Sequence, residues 1–219
     1  MSWAPLLLSL RIAAMATLVS VVCGVALAML LTWRKLPARH LLDAVVSAPM
    51  VLPPTVLGYY LLVSLGVNSA VGQMWERLFG TSIVFTLTGA VIAATVGSLP
   101  LVVRASRTGL EHVDPTLVLA AHTLGAGKLR TFFTVVLPLA APGIIGGAML
   151  GFARALGDFG ITIMVAGSRI GDTQPASIFI YDAIQANREA DANRMAVVMT
   201  VVGVGILYAV NRLSRGPHD

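Results

Sequence analysis

The sequence predicts an all-α integral membrane protein with five transmembrane helices and one cytoplasmic helix-turn loop. Three observations carry that expectation. Hydrophobic residues make up 57% of the 219 and charged residues 11%, with a mean hydropathy of +0.85, which excludes an ordinary soluble domain. Five apolar runs reach or approach the roughly 20 residues that a spanning helix needs. One polar interruption, Glu111 to Pro138, has a helical pattern and turn chemistry of its own. The whole chain, 1–219, reads as a single transmembrane domain without an internal repeat or a low-complexity tract.

The first span is expected at residues 12–32. Ala26-Leu27-Ala28 resembles a signal-peptidase site, but the apolar run continues through Met29, Leu30 and Leu31 and no basic cluster precedes it, so the segment reads as a retained span. Trp3 and Trp33 suit interfacial anchoring. The second span, 41–66, is interrupted by Pro49 and by Pro53-Pro54. Such prolines free backbone carbonyls that neighbours or water must satisfy, so Pro53 and Pro54 mark either a structural kink or a wall of a pathway. Residues 67–81 read as a short loop, and the third span, 82–103, leads to Arg104 and Arg107.

The fourth span is expected at 138–166. It carries Gly143, Gly147 and Gly151 at intervals of four, a small-residue ridge that lets helix backbones approach closely in lipid. A polar break near 154–160 holds Arg154 and Asp158, four apart and able to pair on one helix face. At membrane depth such residues are functional candidates; at the interface they are simply solvated, and both readings stand. Ile178 to Ile184 reads as a short amphipathic helix on a surface. The fifth span, 193–210, is short for a full crossing.

The interruption is legible residue by residue. Asp114 is an N-cap with Pro115 in the first turn, and Leu117, Leu119, Ala120, Ala121 and Leu124 keep helical spacing until Gly125 and Gly127 stop the helix. Lys128 and Arg130 open a second segment, and Leu137-Pro138 marks re-entry into the membrane. A solvated loop accounts for the polarity. It does not account for the apolar face of Leu117, Ala121 and Leu124, which needs something to cover it.

Orientation follows from charge. With the interruption inside, nine of the 15 basic residues lie inside (Arg34, Lys35, Arg39, Arg104, Arg107, Lys128, Arg130, Arg212 and Arg215), as the positive-inside rule favours. This places the N-terminus outside and the C-terminus in the cytoplasm. The same bias explains the net charge of +5 without nucleic acid.

No catalytic machinery is expected. Gly127-Lys128 is followed by Leu129 and preceded at five residues by His122, so there is no Walker A loop and no ATPase site of that kind. His40, His112, His122 and His218 have no metal-ligand spacing, and Cys23, the one cysteine, forms no internal disulfide. Five helices enclose a solute path poorly, so a homodimer with the path on its two-fold axis is the economical assembly.

Leu119-Ala120-Ala121, Gly125 and Leu137-Pro138 resemble the permease signature of ABC importers, with Leu119 where that pattern has glutamate. The stretches SAPMVLPPTVLGYYLLVSLG, GSLPLVVRASRTGLEHVD and AAHTLGAGKLRTFFTVVLPLAAPGIIGGAMLGFARALGDFG extend the resemblance to the molybdate-type permeases, close to sulfate and tungstate permeases. The resemblance implies a type I importer fold in a bacterial inner membrane. It implies partners: a second copy, two cytoplasmic ABC ATPase subunits that bind the ATP, and an external oxyanion-binding protein; this chain itself holds no cofactor. Ala120, Ala121, Gly125, Leu137 and Pro138 would couple to the ATPase, and Pro53, Pro54, Arg154 and Asp158 would belong to the pathway or its gate. The reading from another class is a motor-independent secondary transporter or channel. Such a protein usually carries carboxylates inside its spans, where this chain has at most Asp158.

Overall fold

The computed structural model describes residues 3–33 and 37–214, and every regular element among them is helical. Arg34, Lys35, Arg215 and His218 lie outside the described residues. In order the helices are α1 (Ala4–Thr32), α2 (Arg39–Val51), α3 (Pro54–Leu65), α4 (Ala70–Phe79), α5 (Leu87–Glu111) and α6 (Pro115–Thr123). Then come α7 (Lys128–Thr131), a π-helical segment (Phe132–Val136), α8 (Leu137–Leu156), α9 (Gly160–Ala166), α10 (Ala176–Gln185) and α11 (Glu189–Ser214). Four stretches are long and apolar enough to cross a bilayer: Ala4–Thr32, Leu87–Glu111, Lys128–Leu156 and Glu189–Val210. A fifth crossing results if the bent pair α2 and α3 is taken as one.

The bundle is built on α5. On one side α1 sets Ala16, Ser20, Gly24 and Ala28, one turn apart and all buried, against it. A Cβ on Gly24 would stand 2.9 Å from Val102 Cγ1, and Ser20 Oγ and Ser98 Oγ share a hydrogen bond of 3.0 Å. On another side lies the glycine ridge of α8. A Cβ on Gly143 would come within 2.7 Å of the Gly109 Cα, and one on Gly151 within 2.7 Å of Val102 Cγ2. Lipid tails are as apolar as leucine, so close backbone packing of this kind, rather than exclusion of water, holds spanning helices together. The ridge on α1 has the same four-residue spacing as that on α8, but with alanine and serine beside its single glycine it is a fainter pattern in sequence than three glycines.

Several boundaries differ from expectation for local reasons. The run 41–66 is two helices meeting at 116°: Pro53 caps α3 and Pro54 opens it, where a proline is at home. Residues 67–81 hold α4, whose Ser69 cap accepts the Gly72 N–H at 2.9 Å and whose end is Gly80 at φ 68°, a left-handed conformation suited to glycine. Helix α1 begins at Ala4 and α11 at Glu189, so the last helix is long enough to cross. The fourth span, by contrast, divides after Leu156 and resumes at Gly160, inside the stretch 154–160 where a polar break was expected.

Candidate functional site

The loop between α5 and α8 is closed at both ends of α6. Asp114 Oδ1 accepts the Thr116 N–H at 2.8 Å. That backbone bond first, and the Thr116 hydroxyl second, hold the Asp114 carboxyl below its ordinary range. At the other end Ala126 N–H donates to Ala121 O and Gly125 N–H to His122 O, both at 3.0 Å, with Gly125 at φ +82°. This is a Schellman closure, which needs a left-handed residue where Gly125 stands. The His122 ring adds a bond from Nδ1 to Ala126 O at 3.0 Å.

Helix α6 forms one wall of an apolar groove, its Pro115, Val118 and Leu119 facing Leu110, Val113 and Val136. Yet none of its residues is buried. Leu119 and Leu124 stay 63% and 87% exposed, Ala120 is exposed and Ala121 is half-buried. Leu129 and Phe133, just beyond the turn, are exposed as well. Leu137 is half-buried and Pro138 exposed at the start of α8, where α8 leaves the π-helical segment. The loop is thus a helix of fixed geometry whose apolar side chains lack an internal seat.

The second candidate region lies where two broken helices meet. Arg154 Nη1 donates to Asp158 Oδ1 at 2.8 Å. The two do not share one helix face, as their spacing suggested, because α8 ends at Leu156 and Asp158 lies in the break. From there its Oδ2 accepts the Thr162 N–H at 2.9 Å and the Thr162 hydroxyl at 2.7 Å, while its carbonyl accepts the Ser177 hydroxyl at 2.8 Å. The Asp158 side chain is buried and that of Arg154 keeps 32% exposure. Taking a carboxylate out of water costs several kcal/mol, and only a good ion pair with further hydrogen bonds offsets it; here all are present. One side chain therefore ties together α8, α9 and, through its own backbone, α10.

The break between α2 and α3 packs onto this one. A Cβ on Gly160 would stand 2.8 Å from Pro54 Cβ, and one on Gly58 2.8 Å from Met164 Cβ. Pro54 and the Arg154–Asp158 pair thus share one region, with Pro53 exposed at its edge. Arg154 also reaches α5, its Nη2 3.5 Å from where a Gly97 Cβ would be. The coupling-loop residues and these four form two separate places.

A third feature joins α2 to the far end of α5. Arg107 pairs with Asp43 at 3.4 Å and with Glu111 at 2.8 Å, and Arg104 Nη2 donates to Ser47 Oγ at 3.2 Å. The four-residue spacing of Arg107 and Glu111 was a visible signal; nothing in the sequence indicated Asp43 or Ser47.

A small-residue bundle with two broken spans in contact and a capped loop helix between its third and fourth crossings defines a helical membrane permease. The chain belongs to the family of binding-protein-dependent transport system inner membrane components, whose model matches residues 20–215. It is 43% identical over 214 residues to the molybdenum transport system permease protein ModB of Escherichia coli (strain K12), covering 97% of this chain and 93% of that one. The sulfate transport system permease protein CysT of Salmonella typhimurium is 35% identical over 205 residues, 94% of this chain and 74% of that one. A solved structure of the MetNI methionine ABC transporter shares the fold, with a TM-score of 0.73 at 18% identity, covering 96% of this chain and 93% of that one.

Proposed function

We propose that this chain is the membrane-spanning subunit of an ATP-driven oxyanion importer with molybdate as its cargo. Two copies would form the path, with two cytoplasmic ATPase subunits beneath and an external binding protein above. The observation that carries the reading is α6: a helix capped at both ends, fixed between two spans, with Leu117 and Leu124, two turns apart on one face, left exposed. An apolar face of that kind is costly in water and calls for a protein partner. Similarity to ModB at 43%, against 35% for CysT, favours molybdate over sulfate. Family membership disfavours a motor-independent transporter.

On this reading Ala120, Ala121 and Gly125 sit in a groove of the ATPase, and Leu137 and Pro138 pass its movement to α8. Because α8 lies backbone to backbone on α5, that movement shifts α5 as well. The contact between the two breaks, with Pro53, Pro54, Arg154 and Asp158, then lies beside the path, as discontinuous helices do in other transporters, and belongs to its gate. On this reading the loop helix and the C-terminus lie inside and the N-terminus outside, the arrangement that the basic residues favour.

The test is uptake of labelled molybdate into vesicles holding this chain with its ATPase and binding protein. Wild type should require ATP and resist excess sulfate. Gly125→Pro places a residue fixed near φ −65° where the backbone holds +82°, so the variant should insert in the membrane yet abolish uptake and lose the ATPase on purification. Uptake without the ATPase would overturn the reading.

A further inference from the structure

The contacts along α5 act as a depth gauge. Ser20 meets Ser98 and Gly24 meets Val102, so Arg104 lies level with Ala26 of α1. That helix continues apolar through Met29, Leu30 and Leu31 to Thr32, six residues and about 9 Å further along the axis. From the other side, Gly147 of α8 meets Ala105 and Val102, which puts Arg104 well within the crossing that starts at Leu137. Arg104 therefore stands more than a turn short of the ends of both neighbouring helices, deeper than the charge count that placed it inside implies. Arg11, by contrast, falls level with the first turn of α5.

Arg104 is also exposed, on a face of α5 that neither α1 nor α8 covers. Every other guanidinium paired along these helices has a carboxylate: Arg107 has Asp43 and Glu111, and Arg154 has Asp158. Among the described residues Arg104 has only the Ser47 hydroxyl, at 3.2 Å. Of its five N–H donors one is used. Ser47 accepts that bond, and its own O–H donates to no described group. An arginine at such depth faces protein or a water-filled cavity rather than lipid.

The partnering is graded along one face. Gly97 and Arg104 are seven residues apart, nearly two full turns, and so lie on the same side of α5 about 10 Å from one another. The guanidinium of Arg154 rests over Gly97. One side of α5 thus presents two cations in file: Arg154 at mid-depth, neutralised by Asp158, and Arg104 towards the end that carries the loop helix, unneutralised.

We infer that Arg104 and Ser47 form a transient binding station for a tetrahedral oxyanion on the loop-helix side of the translocation path. This rests on the oxyanion-importer reading above. The guanidinium supplies a bidentate donor edge and the Ser47 hydroxyl a third donor from α2. With one cation and no closed cage the station holds an anion loosely, which a conducting site requires. Because Ser47 is on α2 and Arg104 on α5, the station forms only while those helices stay side by side, as the Arg107–Asp43 pair keeps them.

The experiment uses the reconstituted complex of this chain, its ATPase and its binding protein, reading both uptake of labelled molybdate and ATP hydrolysis stimulated by the loaded binding protein. Arg104→Gln should lower uptake by about tenfold or more, the worth of one charge-assisted hydrogen bond, with stimulated hydrolysis nearly unchanged. Ser47→Ala should lower it less, and Arg104→Lys should restore part of it. In a Cys23→Ser background, Arg104→Cys should regain uptake after an aminoethyl thiosulfonate reagent and not after the sulfoethyl one. Undiminished uptake in Arg104→Gln overturns the inference. So does joint loss of uptake and hydrolysis without charge rescue, the mark of a brace between helices or between copies. An effect that follows the anionic lipid content of the vesicles instead of the cargo assigns the site to a lipid phosphate and overturns it too. A wild-type complex that takes up neither molybdate, tungstate nor sulfate refutes the oxyanion reading itself.

Discussion

Helix α5 meets two very different neighbours on its way out of the bundle. Against α8 it packs with nothing between the backbones, so that even one methyl on Gly143 would enter the space of the Gly109 Cα. Towards α6 there is only a shallow apolar groove, walled by Leu110 of α5 and by Pro115, Val118 and Leu119 of the loop helix, which has no buried residue. The first contact admits no sliding without separation of the helices. The second leaves an outer surface free for something else to hold. A lever joined rigidly to the bundle and left exposed at one end is the mechanical content of that difference.

Breaking the close contact should have the largest effect. Overpacking an ordinary core costs about 1–3 kcal/mol because side chains shift; Gly143→Leu confronts backbone and should exceed that. Little folded protein should be recovered from the membrane, measured as the monodisperse fraction in detergent. Gly146→Leu is the control, since a Cβ there meets nothing within 4 Å and the substitution also improves helix propensity. If both variants fold equally well, the ridge does not set the position of α8.

The break between α8 and α9 comes next. Removing one partner from a buried ion pair costs about 3–5 kcal/mol, and the lower end applies to Asp158→Ala because the Arg154 side chain is 32% exposed. The variant should melt several degrees lower in detergent. Asp158→Asn keeps an acceptor for Thr162 and should lose less. Replacing Arg154 and Asp158 together by apolar residues should restore stability while reducing uptake. Uptake that stays at the wild-type level would remove the pair from the gate.

The same contrast explains what the sequence disclosed. Periodic apolar runs, the glycine ridge of α8 and the caps of α6 are local signals, because each depends on residues within a few positions of one another. Asp114, Pro115 and Gly125 therefore stand at the helix ends that their chemistry prescribes. What local patterns do not encode is direction after a break. Pro53-Pro54 is compatible with a kink or with a new helix, and the 116° turn goes with close packing of α3 on α9, Pro54 against Gly160 and Gly58 against Met164. Asp158 likewise looked like one member of a helical pair, since Gly157 and Gly160 do not reveal on their own that α8 stops at Leu156. The tie from Arg107 to Asp43 crosses 64 positions of sequence and left no trace in either neighbourhood.

The loop offers the gentlest probe of the comparison. Asp114 is capped into a lowered range by the Thr116 N–H. A carboxyl whose folded value is depressed stabilises the folded loop above its ordinary value of 3.8, and that contribution disappears as pH falls through the lower folded value. Hydrogen exchange at Thr116 to Leu119, corrected for the intrinsic rate, should therefore show steady protection down to that region and then a decline, with α5 and α8 unaffected. Asp114→Ala should give weak protection in α6 that no longer responds to pH there. Should acid instead loosen α6 and α8 together, the loop is not the separately yielding part, and the division between rigid lever and free handle has to be drawn elsewhere in the chain.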